Sequence, residues 1–108
     1  MNKYKMLIVE DDPSLGLIVK DFFERRGYHV VYCQNAEEGY KAFSKDLFDI
    51  ILLDVILPGK SGFDLASQIR EINKEVPVIF LTAQTMKDDI VKGFTVGADD
   101  YIKKPFVM

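Results

Sequence analysis

Four consecutive aliphatic residues, Ile50-Ile51-Leu52-Leu53, end at a carboxylate, Asp54, and open into a loop marked by Pro58, Gly59 and Gly62. No other feature restricts the fold of this chain as much. A strand with one wet face alternates apolar and polar residues, whereas a strand covered on both faces does not. The run therefore predicts an interior strand of a parallel sheet. In open α/β sheets, ligands bind beyond the carboxyl ends of the strands. Asp54 stands where such a fold keeps its chemistry, with a plain polar strand terminator as the alternative.

The pattern repeats along the chain. Met6-Leu7-Ile8-Val9 is an all-apolar run that ends in Glu10, Asp11 and Asp12, and Val78-Ile79-Phe80-Leu81 ends at Thr82. Helical periodicity fills the gaps. Asp12 is a good N-cap before Pro13, and Leu15, Ile18, Val19 and Phe22 fall on one expected buried face. Arg25, Arg26 and Gly27 close that helix. A short strand, Val30 to Cys33, follows. Asn35 with Glu38 reads as a capping box opening a helix to about Lys45, with Ala36, Tyr40 and Phe43 inward. Ser61 with Asp64 starts the next helix, with Leu65, Ile69 and Ile72 lining its face. A weaker helix, about Asp88 to Val96, precedes a last strand, Tyr101-Ile102-Lys103. Strict alternation of five strands and four helices implies a parallel α/β sheet with right-handed crossovers. The strands should split into two apolar faces. Leu7, Val9, Ile51, Leu53, Ile79 and Leu81 are expected on one, and Met6, Ile8, Ile50, Leu52, Val78 and Phe80 on the other.

The chain has 108 residues, 48% of them hydrophobic, which suits one domain, residues 1–108, with one core. Its net charge of −3 argues against direct contact with nucleic acid or an anionic membrane surface. No apolar span reaches membrane length, and the first residues run into a strand without a leader pattern. The lone Cys33 is expected to be a buried structural thiol and His29 a surface residue. A reducing cytoplasm fits best.

The residues at the strand ends carry the functional reading. The first strand supplies Glu10 and Asp11, the third Asp54, the fourth Thr82, and Lys104 follows the fifth. Side by side, they converge on one small site. Carboxylates this close repel one another unless they share protons or bind a cation. Hard oxygen donors suit Mg²⁺, which often completes its shell with phosphate oxygens. A metal, a lysine and a hydroxyl around one carboxylate form a set for phosphoryl transfer onto that carboxylate, giving an aspartyl-phosphate. Asp12 is assigned to the helix cap. Tyr101 is open to an ordinary reading as a half-buried strand aromatic.

These motifs resemble the response-regulator receiver domains of two-component signalling. The resemblance runs from about Lys5 to Phe106. It rests on Val9-Glu10-Asp11-Asp12, Leu53-Asp54 with Leu57-Pro58-Gly59-Lys60-Ser61-Gly62, Leu81-Thr82-Ala83, and Gly97-Ala98-Asp99-Asp100-Tyr101-Ile102-Lys103-Lys104-Pro105-Phe106. It implies a flavodoxin-like doubly wound sheet of order 2-1-3-4-5. It implies that Asp54 is the phosphoacceptor, and that Mg²⁺ is held by Glu10, Asp11, Asp54 and the backbone carbonyl of Ile56. Thr82 corresponds to the switch hydroxyl, Lys104 to the phosphate-binding lysine and Tyr101 to the switch aromatic. In the family, the positions of Ile56 and Gln84 border the path of the hydrolytic water; an aliphatic at 56 offers that water no hydrogen bond, though Gln84 could, so the phosphoryl group is expected to outlive that of an Ile56→Asn variant. The expected partners are a sensor histidine kinase and a C-terminal DNA-binding effector of the winged-helix type. The chain departs from the family where a fifth helix should follow Phe106, since only Val107 and Met108 remain. One sheet face is then expected to be short of cover, with self-association or dimerisation as the consequence.

Two other readings stand beside this one. A metal-dependent phosphatase with an Asp nucleophile would carry a second Asp two residues on, where this chain has Ile56. A receiver acting only as an unphosphorylated binding module would not need the full set Glu10, Asp11, Asp54, Thr82 and Lys104.

Overall fold

A computed structural model of the chain describes residues 4–82 and 100–103, with Thr82 and residues 100–103 described through their backbone. Five strands and three helices occupy these residues: β1 (Lys5–Val9), α1 (Pro13–Glu24), β2 (His29–Cys33), α2 (Ala36–Lys45), β3 (Ile50–Asp54), α3 (Gly62–Ile72), β4 (Val78–Thr82) and β5 (Asp100–Lys103). All strand pairs are parallel, in the order β2-β1-β3-β4-β5. The doubly wound α/β architecture expected from the sequence is therefore present. The expected fourth helix lies outside the described residues.

Among the described residues, helices pack on both sheet faces. On one, Leu7, Val9, Ile51, Leu53, Val78 and Phe80 pack against Ala36 and Phe43 of α2 and Phe63, Leu65, Ala66 and Ile69 of α3. On the other, Met6, Ile8, Val30, Leu52 and Leu81 pack with Val19, Leu15 and Phe23 of α1. This corrects the expected face for β4. Ile51 pairs with Val78 and Leu53 with Phe80, so Val78 and Phe80 share the α2/α3 face, while Ile79 and Leu81 join the α1 face. A shift of one residue in register exchanges every side chain between faces.

The helices rotate slightly from their expected faces. In α1, the residues packed on the sheet are Leu15, Val19 and Phe23, and Ile18 is 59% exposed. Phe22 instead carries the Arg26 guanidinium 3.6 Å from its ring centre, a cation–π arrangement at the helix end. In α2, Ala36, Gly39 and Phe43 are buried and Tyr40 is 38% exposed. In α3, Ile72 is 52% exposed, while Phe63 and Ala66 join the core.

The helix starts follow the sequence closely. Asp12 accepts the Ser14 and Leu15 N–H groups at 3.0 and 3.4 Å, Asn35 accepts Glu38 N–H at 2.8 Å, and Ser61 accepts Asp64 N–H at 3.2 Å. The return bond of the α2 box differs from the standard pattern, because Glu38 accepts from Gln34 N–H at 3.3 Å rather than from the cap residue.

Cys33 is buried as expected, and His29 is exposed. Burial, with a lesser push from the Glu38 carboxylate, raises the Cys33 thiol from 9.0 to about 11. Between those values the unfolded chain loses its thiol proton while the folded chain keeps it. Stability from this group is therefore full below about pH 9 and falls as pH rises towards about 11. Denaturant melts across that window should show a shallower alkaline loss for Cys33→Ala than for the wild type. Equal slopes would contradict the burial argument.

Candidate functional site

The site is built at the carboxyl ends of β1 and β3. Glu10 prolongs the β1–β2 ladder by one rung, its N–H donating to Cys33 O at 3.0 Å. This draws its side chain inward to 1% exposure. Its Oε2 accepts the Asp12 N–H at 3.1 Å. Asp12 is engaged in capping α1, so of this acidic run Glu10 and Asp11 are the two that face the sheet end. Asp54 closes β3 at 7% exposure, and its Oδ1 accepts the Ile56 N–H at 3.3 Å.

The loop after Asp54 is held from both sides. Val55 N–H donates to Leu81 O at 3.3 Å, and Gly62 N–H donates to Val55 O at 2.8 Å. The start of α3 thus rests directly on the end of β3. A Cβ placed on Gly62 would lie 1.9 Å from the Asp54 carbonyl oxygen, so only glycine allows this approach. Gly62 was legible in the sequence only as a loop marker; its role as the spacer that seats the start of α3 against the Asp54 backbone carbonyl emerges from the packing.

One carboxylate oxygen each from Glu10, Asp11 and Asp54 lies within 4.8 Å of the others. Glu10 and Asp54 are buried and Asp11 is exposed. Three hard oxygen donors this close, one of them open to solvent, fit a small divalent cation that keeps part of its water shell. Without a cation they repel, and burial of two of them strengthens the effect. Asp11→Asn should therefore weaken Mg²⁺ binding yet raise metal-free stability, by about 1 kcal/mol or less after solvent screening. Denaturant melts with and without Mg²⁺ read both effects, and a loss of metal-free stability would contradict the repulsion.

The other expected site residues divide by position. Ile56 follows Asp54 in the loop with its side chain 63% exposed. Thr82 closes β4, beside the Asp54–Leu81 register pair, and Tyr101 pairs with Phe80 in β5. The side chains of Thr82 and Tyr101, and all of Lys104 and Gln84, lie outside the described residues. A cleft of about 520 Å³ between α2 and α3 is lined by Asn35, Glu37, Tyr40, Pro58, Lys60 and Gln68, and none of the three carboxylates borders it.

Tyr32 is a neighbour of the site that no sequence pattern marks. Its hydroxyl donates to the Glu10 carbonyl at 2.8 Å. Burial, followed by the Glu10 and Asp12 carboxylates, raises its phenol above the ordinary value.

Comparison with known proteins agrees with this arrangement. Residues 6–108 match the family described as the response regulator receiver domain. The transcriptional regulatory protein RprY of Bacteroides fragilis is 46% identical over 106 residues, covering 98% of this chain and 45% of that protein. The transcriptional regulatory protein PcoR of Escherichia coli is 42% identical over 102 residues, covering 94% of this chain and 45% of that protein. The chain thus spans about half the length of these curated relatives. The non-phosphorylated HemR receiver domain of Leptospira biflexa superposes with a TM-score of 0.92 at 38% identity, covering 97% of this chain and 85% of that one. A parallel 2-1-3-4-5 sheet, an acidic cluster at the ends of β1 and β3, and a family match across nearly the whole length lead to one assignment: the chain belongs to the response regulator receiver domains of two-component signalling.

Proposed function

We propose that Asp54 accepts a phosphoryl group from the phosphohistidine of a sensor histidine kinase, and that this switches the surface around β4 and β5. The observation that carries the reading is the convergence of Glu10, Asp11 and Asp54 within 4.8 Å at the ends of β1 and β3. An Asp54 carboxylate oxygen attacks phosphorus. The N–P bond of phosphohistidine breaks as the O–P bond forms, and the released imidazole nitrogen takes a proton from solvent. Glu10, Asp11, Asp54 and the Ile56 carbonyl would hold Mg²⁺, which when bound would supply neutralisation of charge on the transferring group. The Lys104 ammonium and the Thr82 hydroxyl bind phosphoryl oxygens. Thr82 moves towards the phosphoryl group and Tyr101 turns inward behind it, biasing β5 and the segment before it.

The domain performs its own phosphorylation and slow hydrolysis and is a switch rather than a metabolic enzyme. The exposed aliphatic Ile56 offers no hydrogen bond to a hydrolytic water, which supports a long-lived phosphoryl group. The regulatory names of RprY and PcoR support transcription as the output, through a DNA-binding domain elsewhere in a longer protein. The net charge of −3 supports leaving nucleic acid to that domain. A cytoplasmic site of action fits the kinase reaction, and no helix among the described residues is long and apolar enough to cross a membrane. Leu17 and Ile18, exposed on α1, support association of this face with another protein surface, a second copy included.

Incubation with acetyl phosphate or phosphoramidate tests the reaction. Intact-mass measurement should show one added phosphoryl group in Mg²⁺ and none in EDTA. Equal labelling in both would contradict the metal-assisted reading.

A further inference from the structure

Glu10 is tied to β2 at two points. Its N–H donates to Cys33 O at 3.0 Å, and its carbonyl accepts from the Tyr32 hydroxyl at 2.8 Å. The first is an ordinary ladder bond. The second is made by a side chain that must reach past α1 to the end of β1, and α1 leaves it room at one position. A Cβ on Gly16 would stand 2.3 Å from the Tyr32 ring and 2.6 Å from its hydroxyl oxygen. Gly16 is buried as the fourth residue of α1, already inside the helix, where glycine is otherwise unfavourable. The close approach of the Tyr32 ring gives it a reason to be there.

The tie acts on a strained place. Glu10, Asp11 and Asp54 repel one another, and the cheapest relief is for the residues after β1 to swing away from β3. The Glu10 carbonyl begins the peptide that leads to Asp11. Holding that carbonyl fixes the peptide carrying the exposed carboxylate of the cluster.

We infer that Tyr32, seated against Gly16, is a positioning residue that holds the Glu10–Asp11 peptide in its cation-binding geometry through the Glu10 carbonyl. It does not touch the cation or the phosphoryl group. It keeps the acidic pair arranged when no cation is bound, so less ordering remains to be done on binding. This inference rests on the reading of Glu10, Asp11 and Asp54 as the Mg²⁺ site.

Mg²⁺ titration calorimetry on the wild type, Asp11→Asn, Tyr32→Phe, Gly16→Ala and the Tyr32→Phe/Gly16→Ala double variant tests it, with metal-free denaturant melts alongside. Tyr32→Phe keeps the ring and removes only the hydroxyl, so it should fold and bind Mg²⁺ roughly three- to tenfold more weakly, the fold-change of one net hydrogen bond. Gly16→Ala reaches the same end differently, by displacing the ring. The two losses should not add in the double variant, since both break one contact. A merely structural role would lower the melts and leave the Mg²⁺ affinity of the folded protein unchanged. Wild-type affinity in folded Tyr32→Phe, or additive losses in the double variant, overturns the inference while the metal site stands. Wild-type affinity in Asp11→Asn overturns the metal-site reading, and this inference with it.

Discussion

Gly62→Ala is expected to lower the unfolding free energy by about 3 kcal/mol, the upper part of the range for forcing extra volume into a packed site. The new methyl would meet the Asp54 carbonyl oxygen at 1.9 Å and the Asp54 carbonyl carbon at 2.9 Å. Both are backbone atoms of a central strand, so neither can turn aside as a side-chain end could. Relief requires α3 to lift from the end of β3, which breaks the 2.8 Å bond from Gly62 N–H to Val55 O. The loop that leaves Asp54 would then lose its anchor on the α3 side. Urea melts measure the stability loss, and Mg²⁺-dependent labelling by a phosphodonor should fall in the variant that remains folded. A variant as stable and as readily labelled as the wild type would show that the loop accommodates the methyl.

Phe80→Ala is expected to cost about 3–5 kcal/mol, the usual range for removing a buried phenylalanine. Phe80 is fully buried in β4, on the face covered by α2 and α3. Its ring meets Phe63 edge to face at 4.9 Å between centroids, and Phe63 directly follows Gly62 at the start of α3. The truncation opens a cavity under the same helix start that supports Asp54. A loss of this size is a large share of the 5–15 kcal/mol typical of a whole domain. Phe80→Leu, which keeps most of the volume, should lose much less. Comparable melts for both variants would contradict the packing assigned to Phe80.

The strands were legible because burial on both sides removes polar residues from them. The runs at Met6–Val9, Ile50–Leu53 and Val78–Leu81 have no other simple explanation, and the carboxylates at their ends stand out by contrast. The helix caps at Asp12, Asn35 and Ser61 were legible too, since capping is local chemistry. Strand order and the switch roles of Thr82 and Tyr101 came from resemblance to a family, because alternation of strands and helices does not by itself fix which strands are neighbours.

What the sequence left unread depends on distant parts of the chain. The face of β4 follows from its register with β3, which no local pattern in β4 itself specifies. Ile18, Phe22, Tyr40 and Ile72 sit at the edges of apolar stripes, where a small rotation of the helix decides between core and solvent. Adjacent Phe22 and Phe23 are both consistent with the period, and packing selected Phe23. The contacts of Gly62 with Asp54 and of Gly16 with Tyr32 join residues from separate elements. No local pattern announces a glycine that makes room for a particular neighbour.

Phosphorylation at Asp54, as proposed, leaves a chemical mark that can be located in the chain. Locating the group measures this directly. After reaction with phosphoramidate in Mg²⁺, borohydride reduces an aspartyl-phosphate to homoserine, and peptide mapping reads the altered position. The account predicts homoserine at position 54 in the wild type and no phosphoryl uptake in Asp54→Asn. Homoserine at another aspartate of the wild type, or full labelling of Asp54→Asn, would contradict it.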